Sequence, residues 1–312
     1  MIAALSTGPL VDLDPQTVHS NRPRSQVESG SSAGDLIATL RHRLHEAALP
    51  NGEAIVDHCD GTNQILQGLV TSPKVQALVW LALASGVLPK ADVERLTGDE
   101  LKDSVLALRS LFLMQTVPTE GGKRDLAEQE LLRRMFLAMS ADAQVVLVRL
   151  ASRLQSLRFH AQTKTKPSLE QARFTLRVLS PLANRLGLGQ LKWEMEDLAF
   201  RFSDEASYHQ IAKALDEKRS QRELFIADLT SEIQAGLALA GLKAKVSGRP
   251  KHIYSIYNKM RTKHLSFSQV LDVYAFRVTV HTIDECYRAL GILHSIYKPM
   301  PGKFKDYIAI PK

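Results

Sequence analysis

The chain has 312 residues, 45% of them apolar and 23% charged, which leaves room for two soluble domains with sizeable cores. Its two cysteines, Cys59 and Cys286, are too few and too far apart for a disulfide framework or a thiolate metal cluster. The net charge of +7 is unevenly held: residues 241–312 carry 13 Lys and Arg against 4 Asp and Glu, while the first 240 residues carry 27 basic and 29 acidic groups.

Residues 1–33 are rich in Ser, Pro, Gly and Asn, lack a sustained period, and read as a flexible tail. Their start, MIAALSTGPLVDLD, has no basic leader. From Gly34 a helical period takes over, with Leu36, Leu40 and Leu44 at helix spacing. Gly52–Leu69, Pro73–Ser85 and Asp99–Met114 continue it between Pro, Gly and Ser/Thr clusters. The apolar run Val75–Leu88 is 14 residues long and contains Gln76 and Ser85. A spanning helix needs roughly 20 residues, so this run predicts a buried core helix, no membrane contact and a cytoplasmic protein. Leu126–Ala138 and Ala141–Arg158 are two further amphipathic helices. Ser168–Leu186 and Leu191–Phe202 follow, broken at Gly187 and Gly189. The span 34–203 is therefore expected to be all-helical, with 204–240 as a polar helical linker of one or two helices.

At Gly241 the period changes from helical to alternating. LKAKVSG reads as a half-buried strand, Pro250 opens a helix through Lys263, and Asp272–His281 is a second strand. Ile283–Tyr297 is helical again, and Pro299, Pro301 and Gly302 form a loop. The fold class expected is α+β: a helical domain, then a partial mixed α/β domain over 241–312.

That last segment holds the excess positive charge, and a polyanion is its natural partner. A helix start offers free N–H groups to an anion. Lys251, Ser255 and Lys259, spaced by four, would share one face of the helix opened by Pro250 and suit a phosphate chain. Arg249 can fork to phosphate or stack on a base. Asp272, with Arg277 five residues on, is the carboxylate that could hold Mg²⁺ beside phosphates. Lys303-Phe304-Lys305-Asp306-Tyr307 and Lys312 interleave further cations with rings, which suits nucleotides and RNA alike. A solvated basic face and ordinary strand or helix caps are the bland alternatives.

The stretches GRPKHIYSIYNKM, LDVYAFRV, ECYRALGILHSIYKPMPGKFKDYIAIPK and SPLANRLGLGQLKWEMEDLAFRF resemble the RelA/SpoT family. The likeness runs from about residue 125 to the end, and more weakly from about residue 35. It implies a long-form GTP pyrophosphokinase: an HD-type helical domain followed by a nucleotidyltransferase-like synthetase domain. Such a domain moves pyrophosphate from ATP to the 3′-hydroxyl of GTP or GDP, making (p)ppGpp in the stringent response. It further implies that Arg249 and Arg277 sandwich the adenine, that Lys251, Ser255 and Lys259 hold the phosphates, and that Asp272 binds Mg²⁺. Lys305 would act near the transferring group and Lys312 near the acceptor. Ribosome and tRNA contacts would belong to later domains outside these residues.

The chain departs from the family pattern twice. It stops at Lys312, where the family continues into an Asn-x-Tyr-Gln-Ser-x-His segment and a later glutamate; the expectation is a truncated synthetase domain, inactive alone. A non-catalytic fragment that binds nucleotide or partner is the alternative. The second departure concerns the hydrolase metal set of the helical domain. His58 stands where the first ligand is expected, but Ala82-Leu83-Ala84-Ser85 replaces a His-Asp pair, and Ala151-Ser152-Arg153-Leu154-Gln155-Ser156 replaces Ala-Asp-Arg-Leu-His-Asn. These residues are poor metal ligands, so a pseudo-hydrolase domain without Mn²⁺ is expected, with His58 on the surface or at a helix start. The basic version of the Lys303-Phe304-Lys305-Asp306 motif, usual in bifunctional members, leaves the subtype and the GTP-versus-GDP preference open.

Overall fold

The computed structural model describes residues 4–5, 33–69, 72–113, 142–216, 219–270, 274–302 and 304–311. The expected helix Leu126–Ala138, most of the tail 1–33, Asp272 and Lys312 lie outside the described residues. The chain divides between Tyr208 and His209 into a helical unit and an α/β unit, the latter including the short strand β1 (Ala4–Leu5).

The helical unit contains α1 (Ala33–Arg43), α2 (Ile55–Gln67), α3 (Pro73–Ala84), α4 (Lys90–Leu113), α5 (Ala143–Thr163), α6 (Leu169–Phe174), a π-helical turn (Thr175–Leu179), α7 (Ser180–Arg185) and α8 (Gly189–Ser203). Helix α3 is the apolar run of the sequence. Val75, Leu78, Trp80, Leu81 and Ala84 are all buried, so the helix is enclosed on every side. Pro73 opens it, where a missing N–H costs nothing. The sequence pattern places a helix from Asp99, but α4 begins at Lys90 and turns at Gly98, whose φ of 62° favours glycine. Its first half buries only Val93 and Thr97, too few apolar positions to reveal a period. Asp142 caps α5 by accepting from the Gln144 N–H at 2.9 Å. In α7 and α8, buried Glu196 accepts from the Ser180 hydroxyl at 2.7 Å and from Lys192 Nζ at 2.8 Å. Arg158 forks onto Glu194 at 2.6 and 2.7 Å, tying α5 to α8.

Helix α9 (Glu205–Asp216) crosses the division between the units. The α/β unit continues with α10 (Arg219–Leu239), β2 (Lys245–Pro250), α11 (Ile253–Lys263), a 3₁₀ turn (Phe267–Gln269), β3 (Tyr274–Thr279), α12 (Ile283–Ile296) and β4 (Lys305–Asp306). Strands β2 and β3 pair antiparallel, with Ser247 opposite Arg277 and Pro250 opposite Tyr274. Ile233, Leu237, Leu242, Ala289 and Leu293 form the core, and Val246, Phe276 and Val278 pack against it. The polar stretch read as a linker thus supplies core residues from α10. Within the tail, Ala4–Leu5 pairs parallel with Lys305–Asp306.

One expectation is corrected directly. Pro250 does not open a helix: it closes β2, and α11 starts at Ile253 with His252 as its N-cap residue. A proline at the end of a strand forfeits little of the ladder.

Two residues fix how β2 lies on α10. The Gln234 amide donates to the Ala244 carbonyl at 2.8 Å and accepts from the Val246 N–H at 3.1 Å. Gly248 faces the helix so closely that a Cβ there would stand 2.7 Å from Ile226 Cγ2 and Phe276 Cε1 and 2.9 Å from Thr230 Oγ1. Gly248→Ala is therefore expected to overpack this contact at a cost of about 1–3 kcal/mol. Amide hydrogen exchange in β2 and β3 should accelerate about tenfold or more. Unchanged exchange would show that the contact yields without strain.

Candidate functional site

The ladder sorts side chains by alternation. Val246, Gly248, Phe276 and Val278 turn toward the core, while Lys245, Ser247, Arg277 and Thr279 are exposed on the opposite face. The register sets position 249 opposite Ala275 and so diagonal to Arg277 on that open face. Sequence spacing did not single out Lys245, which joins this face through its pairing with Thr279.

Helix α11 presents Ser255 and Lys259 one turn apart, both half-buried, with Ile256 buried behind them. Lys251 lies before the helix, not on its face, so the expected three-residue stripe reduces to two residues plus a preceding lysine. His252 makes no side-chain cap hydrogen bond to the helix start. The Tyr254 and Tyr257 rings stack at 6.2 Å on the same helix.

Lys305 is exposed in β4, opposite Ala4. The turn beyond it is organised by Asp306. Its carboxylate accepts from the N–H groups of Ile308 and Ala309, both at 2.9 Å, and from the Tyr287 hydroxyl at 3.0 Å. These donors, the Ala309 amide foremost, hold the Asp306 carboxyl below its usual range. Asp272 and Lys312 lie outside the described residues; of the rest of the expected set, Ser255 and Lys259 stand on α11, Lys251 lies just before it, and Arg277 stands on β3.

In the helical unit, His58 is not at the surface: it is 1% exposed and fully engaged. Its Nδ1 lies 2.8 Å from Glu53 Oε2 and its Nε2 lies 2.8 Å from Ser152 Oγ. The Gln155 amide donates to Glu53 Oε1 at 2.7 Å. Burial makes such partners obligatory, which is the physical reason the surface reading fails. Glu53, two residues outside α2, was not foreseen as its partner, because nothing in local spacing marks it. Where a His-Asp pair was expected, Ala82 and Ala84 are buried. Among the described residues, no three His, Cys, Asp or Glu side chains come together in a way that could hold a metal ion.

Residues 35–189 match the HD domain family, and residues 248–312 match the region found in RelA / SpoT proteins. A GTP pyrophosphokinase of Escherichia coli K12 is 39% identical over 241 residues, covering 73% of this chain and 32% of that protein. A GTP pyrophosphokinase of Streptomyces coelicolor is 42% identical over 186 residues, covering 60% of this chain and 22% of that protein. A guanosine-3′,5′-bis(diphosphate) 3′-pyrophosphohydrolase of Haemophilus influenzae is 43% identical over 189 residues, covering 61% of this chain and 28% of that protein. The chain belongs to the RelA/SpoT family. It spans between about a fifth and a third of the length of these relatives. The HD match falls in the helical unit and the RelA/SpoT match in the α/β unit. The most distinctive family stretch upstream, SPLANRLGLGQLKWEMEDLAFRF, is the packed α7–α8 pair built on Ser180 and Glu196.

The Asp306 turn makes a local prediction about the RelA/SpoT segment. In Asp306→Ala the Ile308 and Ala309 amides lose their acceptor, so their hydrogen exchange should accelerate while β2 and β3 are unaffected. The wild-type turn should loosen in the same way under acid. A depressed carboxyl contributes above its ordinary value of 3.8 and loses that contribution as pH falls through its lower folded value. Equal exchange in variant and wild type would remove Asp306 as the organiser of the turn.

Proposed function

We propose that this chain carries the ATP-binding part of a GTP pyrophosphokinase, which transfers pyrophosphate from ATP to the 3′-hydroxyl of GTP or GDP. The observation that carries this reading is the open face of the β2–β3 ladder. Arg277 stands on it, position 249 is diagonal to it, and the start of α11 with Ser255 and Lys259 follows within a few residues. Arg249 and Arg277 would hold the adenine between two guanidinium planes. Lys251, Ser255, Lys259 and the first N–H groups of α11 would bind the phosphates. Asp272 would hold Mg²⁺, which neutralises polyphosphate charge when bound. Lys305 would stabilise charge on the transferring group, and Lys312 would meet the acceptor nucleotide. In the reaction the acceptor 3′-oxygen attacks the β-phosphorus of ATP, the bond from that phosphorus to the α–β bridging oxygen breaks, and AMP leaves. The protein's share is positioning and charge stabilisation.

We also propose that the helical domain has no (p)ppGpp hydrolase activity and takes no Mn²⁺. This reading is supported by Ser152 and Gln155 in place of an Asp and a His, and by buried alanines in place of a His-Asp pair. Among the described residues no helix is long and apolar enough to cross a membrane, and a cytoplasmic location suits these substrates.

Two measurements test the proposal. Titration with a non-hydrolysable ATP analogue and Mg²⁺ should show saturable binding that weakens with added salt. Arg277→Ala and Lys259→Ala should each weaken it about tenfold or more, the value of a charge-assisted contact. Variants that bind like wild type would overturn the donor-site assignment. Separately, incubation with ppGpp and Mn²⁺ should release no pyrophosphate above a metal-free control; release would restore the hydrolase.

A further inference from the structure

The buried chain Gln155–Glu53–His58–Ser152 is more than the residue of a lost site. Its carboxylate and its imidazole are each paired on both sides. As a carboxylate, Glu53 can only accept, so His58 Nδ1 is its donor at 2.8 Å and the Gln155 amide is its second donor at 2.7 Å. The Ser152 hydroxyl completes the other side of the ring at 2.8 Å from Nε2. Three of the four residues are nearly sealed, with Glu53 and His58 1% exposed and Ser152 5%. Room for Gln155 is made by Gly61, where a Cβ would stand 2.2 Å from Gln155 Oε1.

The chain also joins separate segments. Glu53 belongs to the turn before α2, which is closed by the Ala48–Ala54 bridge and by Leu49 N–H donating to the Glu53 carbonyl at 2.8 Å. His58 and Gly61 belong to α2, and Ser152 and Gln155 to α5, about ninety residues later in sequence. A carboxylate at position 152 would face the Glu53 carboxylate across one imidazole and call for a cation between them. A serine there closes the chain without added charge. Among the described residues no third His, Cys, Asp or Glu joins Glu53 and His58 in a set that could hold a metal ion, and Ala82, Ala84 and Ala151 are buried in the core of the same unit.

We propose that this hydrogen-bond relay is a metal-free substitute for the metal centre of the HD domain, clamping α5 to α2 and to the turn before it. The helical domain then keeps one packed arrangement whether or not divalent ions are present. The proposal rests on the reading that this domain takes no metal, and it adds what occupies the metal's structural role. Removing one member strands the others, because a buried polar or charged group without its partner is costly.

The test uses the full chain. Both tryptophans, Trp80 and Trp193, lie in the helical unit, so their fluorescence follows its thermal unfolding. The wild-type midpoint should be the same in excess EDTA and in Mn²⁺. His58→Gln and Ser152→Ala should each lower it by several degrees, and the double variant should lose less than the sum, as members of one network do. Additive losses would overturn the relay while leaving the absence of hydrolysis intact. A midpoint raised by Mn²⁺ would overturn the relay, and pyrophosphate release from ppGpp in the same sample would decide whether the hydrolase reading falls with it. Should the variants fail to fold, ¹⁵N-histidine spectra of the wild type decide alone. A slowly exchanging proton on His58 Nδ1 that Mn²⁺ leaves sharp supports the relay, and broadening by Mn²⁺ overturns it.

Discussion

The α/β unit depends on the close approach of β2 to α10 at Gly248. That contact seals one face of the ladder, and alternation then leaves only the other face for Lys245, Ser247 and Arg277. A slip of one residue would bury these groups and expose Val246 and Val278. Gln234 guards against the slip, because its amide recognises the backbone on both sides of Lys245. Arg277 is therefore presented on the open face by the packing of its neighbours Phe276 and Val278 against the core.

The helical unit solves a different problem. Its interior contains groups that burial disfavours: Arg149 and Arg153 are 4% and 6% exposed, and burial lowers their pKa to about 9 and about 10. Arg149 donates to the Leu111 carbonyl at 3.0 Å and lies over the Phe112 ring, while Arg153 donates to the Gln171 carbonyl at 3.0 Å. These guanidiniums satisfy helix carbonyls. The Glu53–His58 pair is settled in the same manner, by neutral hydroxyl and amide partners at its ends. In both cases hydrogen bonds from or to buried polar side chains tie separate segments together.

Much of this was legible in the sequence because it is local. The apolar run from Val75 predicted a buried helix, and the change to alternation at Gly241 located the ladder. The local pattern also set Ser255 and Lys259 on a helix and Arg277 in a strand, where they lie. What was not legible depended on distant partners. Helix α10 looks like a linker because, among its described residues, only Ile233 and Leu237 are fully buried, and their partners on α12 lie more than fifty residues away. His58 looks like a surface or helix-start residue; it does stand in the first turn of α2, but its burial depends on Glu53, a turn residue, and on Ser152, on another helix. Pro250 has the features of a helix start, yet pairing with Tyr274 across the ladder keeps it in β2. The half of α4 before Gly98 hides for a simpler reason, since two buried side chains make no period.

The distribution of charge follows from the same contrast. In the helical unit, cations meet carboxylates at short range: Arg158 with Glu194, Lys192 with Glu196, and Arg41 with Asp60 at 2.5 Å. Residues 241–312 have too few acids for that, with 4 against 13 cations. Among the described residues, Lys245, Arg277 and Lys305 make no ion pair and are exposed. Water solvates such groups cheaply, so they do not destabilise the fold much, but together they raise a positive potential that only mobile salt screens. A polyphosphate replaces that diffuse screening with fixed counter-charge. The α/β unit would thus take from a bound anion the counter-charge that the helical unit already has within itself, and the two units differ in where their counter-charges come from.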